Sequence, residues 1–250
     1  MSARDEWADA LRHVPPEGLE AFLTERSGLP GHRANLELAD AFATVADQSM
    51  ILRFANLDDE YLRFCGTEAL GVLLTEGGMD DGVVGLARRR ASDDLWRVRE
   101  GAARALQLVG DTRPDRFRSI VDRWTTDEDS YVRRAALAAV CEPRLLTDAA
   151  TRATALRACS TSTDWIASLP ADRRSDPAVR NLRQALGYCW SVVVAADPAT
   201  CLPIFDAVRA ADDPDVRWIV RSNLTKARLR RALDRARPAR GTPSGARPGR

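Results

Sequence analysis

Lysine is nearly missing from this chain: Lys226 stands alone beside 36 arginines in 250 residues. A bias of that size reflects mainly GC-rich coding, so arginine abundance is not by itself a sign of nucleic-acid binding. Histidine is almost as scarce, with only His13 and His32. Neither belongs to an H-E-x-x-H motif, and no metal site is expected. No uninterrupted apolar run reaches the roughly 20 residues a membrane helix needs. The opening stretch MSARDEWADALRH carries acids where a secretory signal would have its apolar core, so a cytoplasmic location is expected. The five cysteines, Cys65, Cys141, Cys159, Cys189 and Cys201, form no C-x-x-C pair and sit mostly among apolar residues, which points to free, buried thiols. Gly-rich phosphate loops, a G-x-S-x-G elbow and a Rossmann fingerprint are all lacking, and no cofactor is expected.

What is present is a repeat. In DDLWRVREGAARALQLVG, Asp93 to Gly110, an apolar anchor at Val98 is followed by Arg99, and the pair returns as Leu62-Arg63, Val132-Arg133, Val179-Arg180 and Val216-Arg217. The anchors are 36, 34, 47 and 37 residues apart, the spacing of a helical hairpin repeated along a solenoid. Repeats that touch only their neighbours allow a chain of this length to be one elongated domain.

Acidic residues precede each anchor. Asp58-Asp59, Asp93-Asp94 and Asp127-Glu128-Asp129 each stand where a helix would begin, and Asp176-Pro177 and Asp213-Pro214 pair an N-cap aspartate with a proline in the first turn. Both of the latter aspartates are expected to accept backbone N–H bonds. Before the repeats, residues 3 to 12 and the stretch around Leu19, Phe22 and Leu23 predict two short helices, an N-terminal cap over 1–34. From Asn35, a candidate N-cap, Leu36, Ala39, Phe42, Ala43 and Ala46 fall on one apolar face.

Within the repeats, the helix after Asp93 is expected to run from about Leu95 to Val109 and close at Gly110, and Gly77-Gly78 to end the helix before Asp81. Between 144 and 175 the repeat is long, and DWIASLP predicts an extra short helix or loop around Trp165. The solenoid is expected over 35–234. Residues 235–250 have the composition of a disordered basic tail. From 225 onwards eight arginines and Lys226 face only Asp234, although the whole chain carries a formal charge of +1. Such an end either solvates the protein or binds an anionic partner.

At Asp176 to Arg180 and Asp213 to Arg217, and more loosely at Asp93 to Arg99, Asp127 to Arg133 and Asp58 to Arg63, the chain resembles a HEAT-repeat protein. That resemblance implies an all-α fold, a right-handed α-α superhelix of the armadillo type. It also implies a scaffold that binds protein or nucleic acid on its concave face, and no particular reaction. The histidine-rich di-iron hydroxylases built from such repeats are excluded by the lack of histidine.

The arginine column (Arg63, Arg99, Arg133, Arg180, Arg217) has two readings. It is a ladder for phosphates, or, as favoured here, a set of structural pairs with turn aspartates that fix register. One position further on stand Phe64, Glu100, Arg134, Asn181 and Trp218. Variation beside a repeating neighbour marks exposure, so Glu100, Arg134, Asn181 and Trp218, with Trp96, are the partner-contact candidates. Most of the six tryptophans are expected in the core; Trp96 and Trp218 fit an apolar period least. The preferred function is a non-enzymatic scaffold whose partner is a protein. The alternative is a HEAT-like DNA-binding protein or a glycosylase acting on alkylated bases, with nucleic acid held by the groove or the basic tail.

Overall fold

A computed structural model describes residues 2–76 and 81–236. Every regular element among them is helical. In chain order these are α1 (Ala3–Arg12), α2 (Leu19–Glu25), α3 (Leu36–Val45), α4 (Gln48–Phe54), α5 (Glu60–Glu76), α6 (Asp81–Ala91) and α7 (Trp96–Thr112). There follow α8 (Pro114–Thr125), α9 (Ser130–Val140), α10 (Ala149–Ser168), α11 (Pro177–Ala196), α12 (Pro198–Arg209), α13 (Pro214–Leu224) and α14 (Ala227–Ala236).

The odd-numbered helices stack consecutively from α1 to α13 in one layer, and the even-numbered helices from α4 onwards cover them hairpin by hairpin. The odd helices pack on one another throughout, whereas in the even layer close approach is found at α8 with α10 and at α12 with α14. The layer with the tighter spacing lies inside the curve of a solenoid. The odd helices therefore line the inner face of an all-α solenoid.

Two kinds of residue make this stacking possible. Aspartates start helices: Asp59 Oδ1 accepts from the Tyr61 and Leu62 amides at 2.9 Å, and Asp213 Oδ1 from Asp215 and Val216 at 2.9 and 3.0 Å. Small residues bring helices together. At Gly71 of α5 a Cβ would stand 2.4 Å from the Ala105 carbonyl oxygen of α7, so only glycine permits this approach. The core runs continuously between the layers, with Phe42, Phe54, Phe64, Trp124, Trp190 and Phe205 fully buried. All five cysteines are free and buried. Among the described residues no helix is long and apolar enough to cross a membrane, and no group of three histidine, cysteine or acidic side chains is placed to hold a metal ion.

Several local expectations are corrected. No extra helix or loop surrounds Trp165: α10 is one helix of 20 residues. It buries Thr151, Thr154, Ser162 and Thr163 alongside Ala155 and Ile166, so small polar residues occupy the stripe where aliphatic ones were sought. Gly110 does not close α7, which continues to Thr112; a Cβ there would meet Leu145 at 2.8 Å, so the glycine answers packing. Asp176 makes no side-chain cap and instead pairs with Arg173 at 2.9 Å. Leu36 is 45% exposed and leaves the burial of α3 to Leu38, Ala39, Ala41, Phe42 and Ala43. Gly77-Gly78 lies outside the described residues, as does the tail from 237 onwards; Arg235 and Ala236 form the last turn of α14.

Candidate partner-binding face

Which side chains reach the inner face follows from helix geometry. On α7, Val98, Ala102, Ala105 and Leu106 are buried. At about 100° per residue, Trp96, Glu100 and Gln107 fall on the opposite side. The same offset from the anchors on α9, α11 and α13 gives Arg134, Asn181 and Trp218; on α5 it gives Phe64, which is buried and forms the floor of the face rather than an exposed contact.

The first half of this face is a shallow apolar groove with paired charges. Leu36, Phe64, Trp96, Glu100 and Arg104 line a cavity of about 590 Å³. Trp96 is 53% exposed, and the Arg97 guanidinium lies 4.6 Å from its ring centroid. Three arginines here take a carboxylate from an earlier inner helix, while Arg33, also on the lining, is exposed and takes none among the described residues. Arg97 pairs with Glu60 at 3.2 Å, Arg104 with Glu68 at 2.9 Å and with Asp40 at 2.8 Å, and Arg134 with Glu100. Trp96, Glu100 and Arg134 are thus brought together. Asn181 and Trp218 are not part of that group.

Glu68 is the unusual member. Its carboxyl is buried, Oε2 accepts from Arg104 Nε, and Oε1 has no donor. Burial pushes its pKa up to about 8, the Arg104 pair opposing the shift and the nearby Asp40 carboxyl adding to it. Burial also works against the charge on Arg104, but Glu68 and Asp40 outweigh it, and the guanidinium pKa is raised. Sequence reasoning passed over this trio. Its signal was a lone acid inside the apolar run Phe64 to Leu74.

The second half is assembled differently. Trp218 is half-buried against Gly187, where a Cβ would stand 2.8 Å from the indole, and Arg183 stacks over the ring at 4.8 Å while pairing with Asp215. Asn181 is partly buried on α11. Arg180 and Tyr188 share the exposed stripe of α11, and Tyr188 is 42% exposed.

The arginine column divides. Arg63 Nε donates to the Leu57 carbonyl at 2.5 Å and Nη1 reaches Asp93 at 3.3 Å. Arg99 Nη1 donates to the carbonyls of Asp93 and Asp94 at 2.5 and 3.0 Å, and its guanidinium stacks on Tyr131 at 4.4 Å. Arg133 Nε and Nη1 donate to the carbonyls of Asp127 and Thr125, both at 2.5 Å, beneath the Trp165 ring at 4.5 Å. Here the arginine folds back on the turn and satisfies carbonyls that have no partner within a helix. Arg217 pairs with Asp212 at 2.5 Å at the surface. Arg180 is exposed and makes no ion pair; in its turn Arg174 does the work, donating to the carbonyls of Leu169 and Ala167 at 2.9 and 2.7 Å and pairing with Asp213 at 2.6 Å. Arg152 of α10 makes the same fold-back, to Leu146 and Thr147 at 3.1 and 2.9 Å, on a position that no anchor marked. The anchors Val98, Val132, Val179 and Val216 are buried.

No known protein family's profile matches the chain, and no curated protein does. Among solved structures it is similar to an engineered protein from the Northeast Structural Genomics Consortium, at 14% identity and a TM-score of 0.38 over 94% of this chain and 100% of the other. It is also similar to a designed armadillo repeat protein in complex with the peptide (KR)4, at 12% identity and a TM-score of 0.41 over 89% of this chain and 98% of the other. Likenesses of this depth say nothing about a ligand.

Proposed function

We propose that this protein is a non-enzymatic scaffold that holds a protein partner on its inner face. One observation carries the reading: the first half of that face combines exposed apolar groups, Trp96 and Leu36, with Arg97, Arg104 and Arg134 paired to the carboxylates of Glu60, Asp40 and Glu100. Aromatic anchors in a groove rimmed by satisfied polar groups suit a protein surface. A phosphate ladder needs uncommitted cations along the same path, and in this half Arg97, Arg104 and Arg134 are already paired. Trp96, Glu100 and Arg134 are the contacts in the first half of the face, and Asn181 and Trp218 continue the surface in the second.

The test is affinity capture from lysate of the source cells, with and without nuclease, using the wild type and Trp96→Ala side by side. A protein recovered stoichiometrically by the wild type and lost with the variant supports the reading. Recovery only of nucleic acid, or turnover of a substrate by the purified chain, overturns it.

A further inference from the structure

The two halves of the inner face differ in charge. In the first, Arg97, Arg104 and Arg134 all have carboxylate partners. In the second, among the described residues, Arg180 of α11 and Arg221 of α13 take none, nor do Lys226 in the α13–α14 turn and Arg228 at the start of α14, which border that face at Tyr188. Arg228 Nη2 donates to the Tyr188 hydroxyl at 2.7 Å with its guanidinium 4.9 Å from the ring centroid, and the Lys226 ammonium stands 6.0 Å from the same ring. Arg221 is exposed on α13, one residue from Ser222, which faces Gly187 of α11.

Beside this cluster opens an apolar cavity of about 300 Å³, walled by Pro143, Leu146, Val192, Ala195 and Ala196 and rimmed by Arg228. It has room for an apolar side chain. The acids that adjoin it in sequence, Glu142 and Asp197, are engaged by Arg144 at 3.4 Å and Arg152 at 3.9 Å. The positive charge at the rim is therefore not cancelled locally.

We propose that this corner binds an acidic segment of the protein partner. An apolar side chain of the segment enters the cavity, carboxylates next to it pair with Arg228 and Lys226, and further acids run toward Arg221 and Arg180. The proposal rests on reading the inner face as a protein-binding surface and adds the chemistry of what sits at one end of it. A peptide acidic at one end and apolar at the other matches both halves of the face. A nucleic acid matches only one, because a backbone charged at every unit would have to continue past Arg97, Arg104 and Arg134, whose charges are already taken by carboxylates.

The experiment uses the full chain and an array of labelled peptides in which glutamate and aspartate surround a single apolar residue. Glutamine–asparagine counterparts and labelled oligo-dT serve as comparisons. The expected result is retention of acidic peptides over their neutral counterparts, weakened by salt. The double variant Lys226→Glu/Arg228→Glu and, separately, the exposed Arg221→Glu should each lower affinity by about tenfold or more, and Ala195→Trp, which fills the cavity, should do the same. The double variant should in turn retain lysine–arginine counterparts of the same peptides. Circular dichroism separates loss of binding from loss of fold, and Arg221→Glu carries the test if the double variant unfolds. If no acidic peptide is retained above its neutral counterpart, the proposal falls. If peptides or the captured partner are lost with Trp96→Ala but indifferent to every change in this corner, the proposal falls and the scaffold reading stands. If oligo-dT is retained in place of acidic peptides, both fall.

Discussion

Glu68 Oε2 accepts from Arg104 Nε at 2.9 Å across the α5–α7 contact, while Oε1 is buried without a donor. The carboxyl thus holds its proton far above the usual carboxylate range, with a pKa of about 8 against an ordinary 4.5. The folded state binds this proton more tightly than the unfolded chain does. Its contribution to stability is complete below pH 4.5 and is lost as pH rises through 8. Glu68→Gln replaces the neutral carboxyl with a neutral amide. The wild type should therefore lose stability relative to Glu68→Gln between pH 5 and pH 8.5, by on the order of a few kcal/mol. Urea unfolding of both proteins at the two pH values checks this, and parallel pH dependences would refute it.

The buried Asn223 ties α13 to α11. Its Oδ1 accepts from the Ser191 amide at 2.8 Å, and Nδ2 donates to the Leu186 and Ile219 carbonyls, both at 2.8 Å. Asn223→Ala removes the bonds that tie α13 to α11 and leaves a small polar cavity between them, which should cost roughly 1–3 kcal/mol in all. Chemical denaturation should show a loss of that order, whereas Ser222→Ala, next to it but more exposed, should change little.

Two glycines of the helices should respond in opposite directions to alanine. Gly71→Ala drives a methyl into the Ala105 carbonyl and forces α5 away from α7, which should cost about 1–3 kcal/mol or more as overpacking. At Gly85 of α6 a Cβ meets only the tip of the Arg89 side chain, at 3.6 Å. Gly85→Ala should raise the midpoint of thermal unfolding through helix propensity, by up to about 1 kcal/mol. Equal effects at the two sites would show that the α5–α7 approach is not as tight as described.

The repeat was legible in the sequence because its marks are local. Aspartate at a helix start and an apolar anchor one turn in are both chemistry of a single chain segment, so most helix starts fall near their expected places. What was not legible depends on neighbours. Asp176-Pro177 and Asp213-Pro214 are the same motif, yet Asp213 caps its helix with Arg174 beside it, while Asp176 turns to Arg173. Buried Thr and Ser residues in α10 hid a continuous helix, since hydroxyls that bond back to their own helix, as Thr163 does to the Cys159 carbonyl at 2.7 Å, can lie in a core without appearing in an apolar period. At the candidate site the column of Glu100, Arg134, Asn181 and Trp218 could be read by counting. The carboxylate that pairs with Arg134 in its first half, and the packing of Trp218 under Arg183 in its second, required three dimensions.

The same contrast runs through the arginine column and gives its sharpest test. Five arginines follow five anchors, and the sequence treats them alike. Arg133 is buried, with its charge spread over the carbonyls of Thr125 and Asp127 and the face of Trp165, and burial lowers its pKa. Removing it leaves two buried carbonyls without donors and a void under an indole. Arg133→Ala should thus cost about 2–4 kcal/mol. Lysine cannot recover the loss, because a single ammonium lacks the planar fork that serves both carbonyls and stacks on the ring. Arg180 at the equivalent position is exposed and unpaired, so Arg180→Ala should leave stability within about 0.5 kcal/mol of wild type. Its effect should fall instead on binding of an acidic peptide, most visibly at low salt. Denaturation and peptide titration of the two variants together decide whether the column is one structural feature, as its repetition suggests, or a structural clamp in the first three repeats and part of a binding surface at Arg180.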